Sequence, residues 1–351
     1  MNKHIEIGTF ISKKDAAMLQ AVAVMLMVWH HLFGFPERIN VPYVLVLDRF
    51  FSIETYVSYF GRICIAVFAF ISGYGMRKKV LRAKQKCGIF YNYRSVLLQI
   101  LKFFSRYWIV FFIFIPIGHV IKIYPFDLRR FLNGIIGNGA GYNAEWWYVG
   151  TYLRLLLLFP ILSWFADLIQ KRMPFLAHIL MALAVMVVLL LPRSASFYGF
   201  LSILLCFVQG MYFVDSNVFE LLYRPLADRP FLRCAVGLML CSIVFILRFY
   251  GVQDYLIVAA FVFAVVIILR PNRLMCFVQP VLLYAGKYST YIWLTHTFFG
   301  YYYFQKLTFF PRYSWLVFLW CMLLSIATGI AMECILTWIT KGLGKALASK
   351  K

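Results

Sequence analysis

Two histidines stand side by side in the stretch VWHHLF, His30 and His31, at the outer end of a long apolar run. A third, His296, lies in the apolar stretch KYSTYIWLTHTFF. Three arginines, Arg62, Arg106 and Arg154, sit inside other apolar runs. Charge in hydrocarbon is costly, so ionisable side chains there are candidates for a functional site. An imidazole near the end of a span can take the proton of a hydroxyl. A guanidinium can fork onto phosphate oxygens or polarise a carbonyl. The first four apolar runs hold no mid-span carboxylate; Glu145 borders the fourth and Glu333 lies in the tenth. Unneutralised arginines need an anion, and a phosphate-bearing ligand fits that need better than proton coupling, which would call for intramembrane carboxylates.

Spacing narrows the set. Gln20 precedes His31 by eleven positions, nearly three full helical turns, so the two share a face while His30 points about 100° away. His31 is therefore the candidate base. Ser289 and His296 are seven apart and also share a face, but about 10 Å of axial rise rules against reading them as a Ser–His pair from spacing alone. Tyr291 lies two residues after Ser289. After Arg62, the small residues Ala66, Ala69 and Gly73 form a stripe suited to close helix packing. The following Gly73-Tyr74-Gly75 is expected to end that helix at the cytoplasmic edge.

The elements that must carry these residues are membrane spans. The chain of 351 residues is 63% hydrophobic and only 14% charged, against about 25% charged in soluble domains. Ten apolar runs fall near 16–35, 56–76, 103–121, 146–165, 175–192, 197–214, 233–249, 255–269, 288–304 and 314–338. The net charge of +22 does not point to nucleic acid, because the cations gather in short loops on one side. With the N-terminus inside, 23 of the 35 Lys and Arg fall in inside segments, which places both termini in the cytoplasm. The inside loop 77–102 is the most basic, with eight cations and no acid. It reads as a topology signal beside anionic lipid and as a landing surface for an anionic ligand. The outside loop 122–145, rich in Gly and Asn, is the longest on its side and a candidate to fold back over the outer mouth. No cleavable signal peptide is evident. The eight scattered cysteines, including Cys87, read as small buried apolar residues, without disulfide or zinc-site spacing. No metal site is legible. The expected fold is all-α, a polytopic membrane protein of about ten transmembrane helices forming a single domain over 1–351.

Four segments, LQAVAVMLMVWHHLF, FGRICIAVFAFISGYGM, EWWYVGTYLRLLLLFP and YSTYIWLTH, taken in this order and spacing, resemble the acyltransferase-3 family of integral membrane O-acyltransferases, among them bacterial cell-surface glycan O-acetyltransferases. The resemblance spans essentially the whole chain. It implies acyl-CoA, acetyl-CoA first, as donor substrate, and a carbohydrate hydroxyl on a surface polysaccharide or its lipid-linked precursor as acceptor. It implies a place in the cell (inner) membrane among membrane lipid, with no nucleic acid partner and no metal.

It also implies residue roles. His31 matches the essential first-span histidine, with Gln20 where an Arg or Lys is usual. Arg106 resembles the second basic residue of a third-span motif, and Phe103 stands where its first Arg would be. His296 falls in a Ser-Tyr-x-x-Tyr-Leu-x-His-like segment, with Trp293 for the usual Tyr. Tyr152 stands where a Glu often follows the fourth-span Trp. The resulting expectation is catalysis by His31 and Gln20, donor binding by Arg62, Arg106, Arg154 and Tyr74, and acceptor contacts from His296, Trp147, Tyr152 and Glu145. A glycan exporter without chemistry, or a structural partner in glycan assembly, is the competing expectation. The oligomeric state is left open.

Overall fold

The structure is a computed structural model that describes residues 10–46, 52–83, 89–270 and 275–348; Cys87 and Arg49 lie outside the described residues. Regular structure among them is helical, with no strand and one isolated bridge between Val44 and Tyr313. In chain order the helices are α1 (Lys13–Phe33), α2 (Ile53–Gly61), α3 (Cys64–Ala83), α4 (Ile89–Val120), α5 (Leu128–Ile135), α6 (Trp147–Arg172), α7 (Pro174–Leu190) and α8 (Tyr198–Ser216). They continue with α9 (Val218–Tyr223), α10 (Pro230–Phe249), α11 (Asp254–Leu269), α12 (Val278–Lys287), α13 (Ser289–Thr297), a π turn (Phe298–Tyr302), α14 (Gln305–Thr308) and α15 (Ser314–Ala348).

Among the described residues, seven stretches are long and apolar enough to cross a membrane: Lys13–Phe33, Ile53–Ala83, Tyr93–Val120, Ala144–Lys171, Tyr198–Ser216, Pro230–Phe249 and Ser314–Gly342. Two more apolar helices, Phe175–Leu190 and Asp254–Leu269, are shorter. The chain is thus an all-helical, multi-pass membrane protein. Of the ten expected runs, 288–304 departs most, because a π turn interrupts it.

The chain divides into two compact units. The first comprises residues 1–23, 62–96 and 154–286. Its centre is the crossing of α3 and α8, where Gly73 lies on the Phe207 carbonyl and Gly210 on the Phe70 carbonyl. A Cβ at either glycine would overlap backbone, so the two glycines are what lets these helices touch. This corrects the reading of Gly73-Tyr74-Gly75 as a helix end: α3 runs on to Ala83, because helical neighbours compensate for glycine's weak propensity. The basic loop 77–102 shrinks accordingly, most of it being the end of α3 and the start of α4. Arg77, expected in that loop, is fully buried and bound to Asp215 at 2.9 Å, Asp167 at 2.8 Å and the Ser163 hydroxyl at 3.1 Å. The cysteines are mixed rather than uniformly buried: Cys64, Cys206 and Cys321 are buried, but Cys276 and Cys334 are exposed.

The second unit comprises residues 24–61, 97–153 and 287–351. Here loop 122–145 packs onto its own α4. Tyr107 and Trp108 of α4 donate to the carbonyls of Gly134 and Ile135 at 2.7 and 2.8 Å. Glu54, buried at the start of α2, accepts from Val46 N–H at 2.8 Å and from the hydroxyls of Ser52 and Ser314.

Candidate active site

The adjacent histidines do different work. His30 faces α2, where its Nδ1 lies 2.8 Å from the Ser58 carbonyl. Gly61 one turn on meets the Leu26 carbonyl of α1, so His30 helps fasten a close helix contact. His31 faces α13 instead. Its Nδ1 is 2.9 Å from Nε2 of His296, with ring centroids 5.0 Å apart.

The proton positions follow from the partners. His296 is almost wholly buried, and its Nδ1 lies 2.9 Å from the carbonyls of both Ile292 and Trp293. Carbonyls only accept, so this Nδ1 carries a proton and Nε2 of the neutral ring has a lone pair. That lone pair accepts the Nδ1–H of His31. Nε2 of His31 is then unprotonated, and no hydrogen bond to it occurs among the described residues. Such a nitrogen is a base with its tautomer fixed by the hydrogen bond on the other side of the ring.

The chain from Asn143 to Trp147 positions α13. Asn143 Nδ2 donates to the Thr297 hydroxyl at 2.7 Å and Trp146 Nε1 to the Leu294 carbonyl at 3.1 Å. Trp146 is the fully buried tryptophan; Trp147, expected to line the acceptor path, is 44% exposed and packs on Tyr148. Consecutive residues at a helix start point about 100° apart, and it is the earlier one that turns inward. The π turn that follows His296 aims two tyrosines back at the same region. Such turns recur at functional sites.

Arg38, just beyond α1, completes the cluster. Its Nη1 donates to Glu145 Oε1 at 3.1 Å and to the Tyr301 hydroxyl at 3.2 Å, and its guanidinium lies over the Phe35 ring at 4.2 Å. Phe35 in turn stacks near-parallel to His31, centroids 6.3 Å apart. Tyr302 donates to the other Glu145 oxygen at 3.3 Å. Partial burial works against the charge on Arg38, but Tyr301 and the Glu145 carboxylate outweigh it and raise its pKa above the ordinary arginine value. Sequence reasoning counted Arg38 only as an outside cation; its proximity to the His30-His31 pair was the available signal.

Arg106 is not the unneutralised cation expected. Its Nε lies 3.4 Å from Glu333 Oε2, an oxygen that also accepts from the Tyr291 hydroxyl at 2.8 Å, and its guanidinium stands over the Tyr291 ring. The carboxylate comes from the last long helix, far along the chain, which is why the first four runs showed none. Phe103 and Tyr152, two departures from the family pattern, touch each other edge to face at 5.3 Å. Tyr152 also accepts from Gln99 at 3.2 Å, and Trp293 stacks on Phe103.

The remaining expected residues belong to the first unit. Arg62 is exposed in the short break between α2 and α3, and Arg154 is exposed with its guanidinium over Phe200 at 5.8 Å. Neither is the buried cation expected. Gln20 is half buried on α1. Tyr74 is buried, its hydroxyl accepting the Ile11 N–H at 3.2 Å. Among the described residues no three His, Cys, Asp or Glu gather closely enough to hold a metal ion.

A multi-pass helical membrane protein in which a buried histidine, His296, pairs with a half-buried one, His31, is the class that fold and site define. The chain matches the model of the acyltransferase-3 family, described as an acyltransferase domain, over residues 17–334, and it belongs to that family. No curated protein and no solved structure matches it at a significant level. Membership makes acyl transfer at a membrane its class of activity.

Proposed function

We propose that the protein transfers an acyl group, acetyl first, from acyl-CoA to a carbohydrate hydroxyl of a surface polysaccharide or its lipid-linked precursor. The observation that carries this is the bare Nε2 of His31, left as a lone pair by the His31–His296 contact. The acceptor oxygen attacks the thioester carbonyl while Nε2 takes its proton. The C–S bond then breaks, and the proton passes to the departing CoA sulfur. A positioned base of this kind is worth about 10²–10⁴-fold. Arg38, fixed by Glu145 and Tyr301, stands where a cation can polarise the carbonyl. Arg106 belongs to donor binding, with Glu333 holding it until phosphate arrives. Tyr152 and Glu145 keep supporting roles toward the acceptor.

In this reading the acyltransferase-3 match over most of the chain supports one catalytic domain, 1–351, in the inner membrane. Ten crossings, with both termini in the cytoplasm, follow from the charge bias. No metal or nucleic acid enters the reaction. The test is slow cleavage of acetyl-CoA by the purified protein. Wild type is expected to release CoA thiol, and His31→Ala, folded as judged by an unchanged melting curve, to lose that release. Cleavage retained in His31→Ala overturns the role of His31. No cleavage or donor binding by wild type would turn the reading toward a glycan exporter.

A further inference from the structure

The first unit contains a pocket filled by the chain's own Phe10 and Ile11, 2% and 3% exposed. Side chains hold all four backbone polar atoms of this dipeptide. Phe10 N–H donates to Glu220 at 2.8 Å, and Ile11 N–H donates to Tyr74. Arg270 donates to the Phe10 carbonyl at 2.9 Å and Lys78 to the Ile11 carbonyl at 2.5 Å. The Phe10 ring stacks on Phe263, interplanar angle 17°, with the Arg270 guanidinium 4.7 Å from its centroid and 3.8 Å from that of Tyr223.

Hydrogen bonding a dipeptide needs only neutral donors and acceptors, whereas this pocket turns two cations and one carboxylate, all three half-exposed, onto uncharged backbone. An aromatic and a guanidinium stacked on a flat ring is how heteroaromatic bases are gripped. Lysine and arginine at hydrogen-bonding distance beside it suit phosphate oxygens, and a carboxylate suits an exocyclic amine.

We propose that this pocket seats the adenine nucleotide of the acyl donor, and that Phe10–Ile11 is an internal occupant the nucleotide displaces. This rests on the acyltransferase reading in taking the donor to be acyl-CoA. Tyr74 thereby keeps its donor role, and Lys78, Arg270, Glu220, Tyr223 and Phe263 join it.

The experiment uses the full-length protein with CoA as probe. Phe10→Ala is expected to tighten CoA binding severalfold, and Arg270→Gln to weaken it severalfold. In wild type, CoA is expected to speed hydrogen exchange at the Ile11 amide, which decides the matter even if Phe10→Ala fails to fold. CoA binding that leaves Ile11 exchange and the Phe10→Ala affinity unchanged overturns the proposal. Acetyl-CoA cleavage, measured alongside, separates the two readings. Cleavage with Ile11 unmoved removes only the pocket; no cleavage and no CoA binding removes both.

Discussion

His31 and His296 meet in one hydrogen bond, and the roles proposed for them have a kinetic signature. If His296 acts by accepting the Nδ1–H of His31, it holds a tautomer and touches no reacting atom. His296→Phe removes the acceptor, so kcat is expected to fall while KM for acetyl-CoA stays near the wild-type value. His296→Gln keeps a carbonyl acceptor and is expected to recover part of the loss. Equal loss in both variants would show that His296 serves packing alone. A second test at this scale concerns Phe103 and Tyr152, in contact at 5.3 Å. Phe103→Arg or Tyr152→Glu alone buries an unpaired charge and is expected to lower Tm. The double variant is expected to regain stability, with a coupling of about 0.5–3 kcal/mol in a double-mutant cycle; additive losses would show that the two sites are not coupled. His31 was legible in the sequence because a polar residue at a span end stands out. The Arg106–Glu333 pair was not, since residues so distant in the chain meet only through helix packing that no local pattern encodes.

Helices here are positioned by small residues and by irregular turns more than by their apolar content. Gly73 and Gly75 lie two apart in the sequence and differ completely in surroundings: Gly73 meets the Phe207 backbone, and nothing lies within 4 Å of a Cβ at Gly75. Gly73→Ala is therefore expected to cost about 1–3 kcal/mol by overpacking, and Gly75→Ala to leave Tm unchanged or raise it through better helix propensity. Thermal unfolding in detergent checks both; equal effects would remove the α3–α8 crossing as the centre of the first unit. Hydropathy located the seven long helices because bilayer thickness imposes their length. It misjudged Gly73-Tyr74-Gly75 because a glycine ends a helix or admits a neighbour depending on what lies opposite. The π turn after His296 was equally hidden, although it decides where Tyr301 and Tyr302 point.

At the scale of the molecule, the count of crossings among the described residues hangs on the segment around His296. Seven long helices and two shorter ones make nine, which would put the termini on opposite sides. Both termini in the cytoplasm require a tenth crossing, and α13 with its π turn, Ser289–Tyr302, is the remaining candidate. Its fourteen residues rise about 20 Å at 1.5 Å each, short of a hydrocarbon core of about 30 Å. Non-helical backbone inside a membrane is tolerated where protein buries it, and Tyr291 to Gly300 is almost wholly buried. The cation bias, 23 of 35 on one side, still favours an even count. Reporter fusions at each terminus, active only in the cytoplasm or only outside it, check this directly. Both termini are expected to report cytoplasm. A C-terminus reporting outside would mean that the His296 segment enters and leaves by the same face. His296 would then sit on a re-entrant element and meet His31, at the end of α1, from that one side.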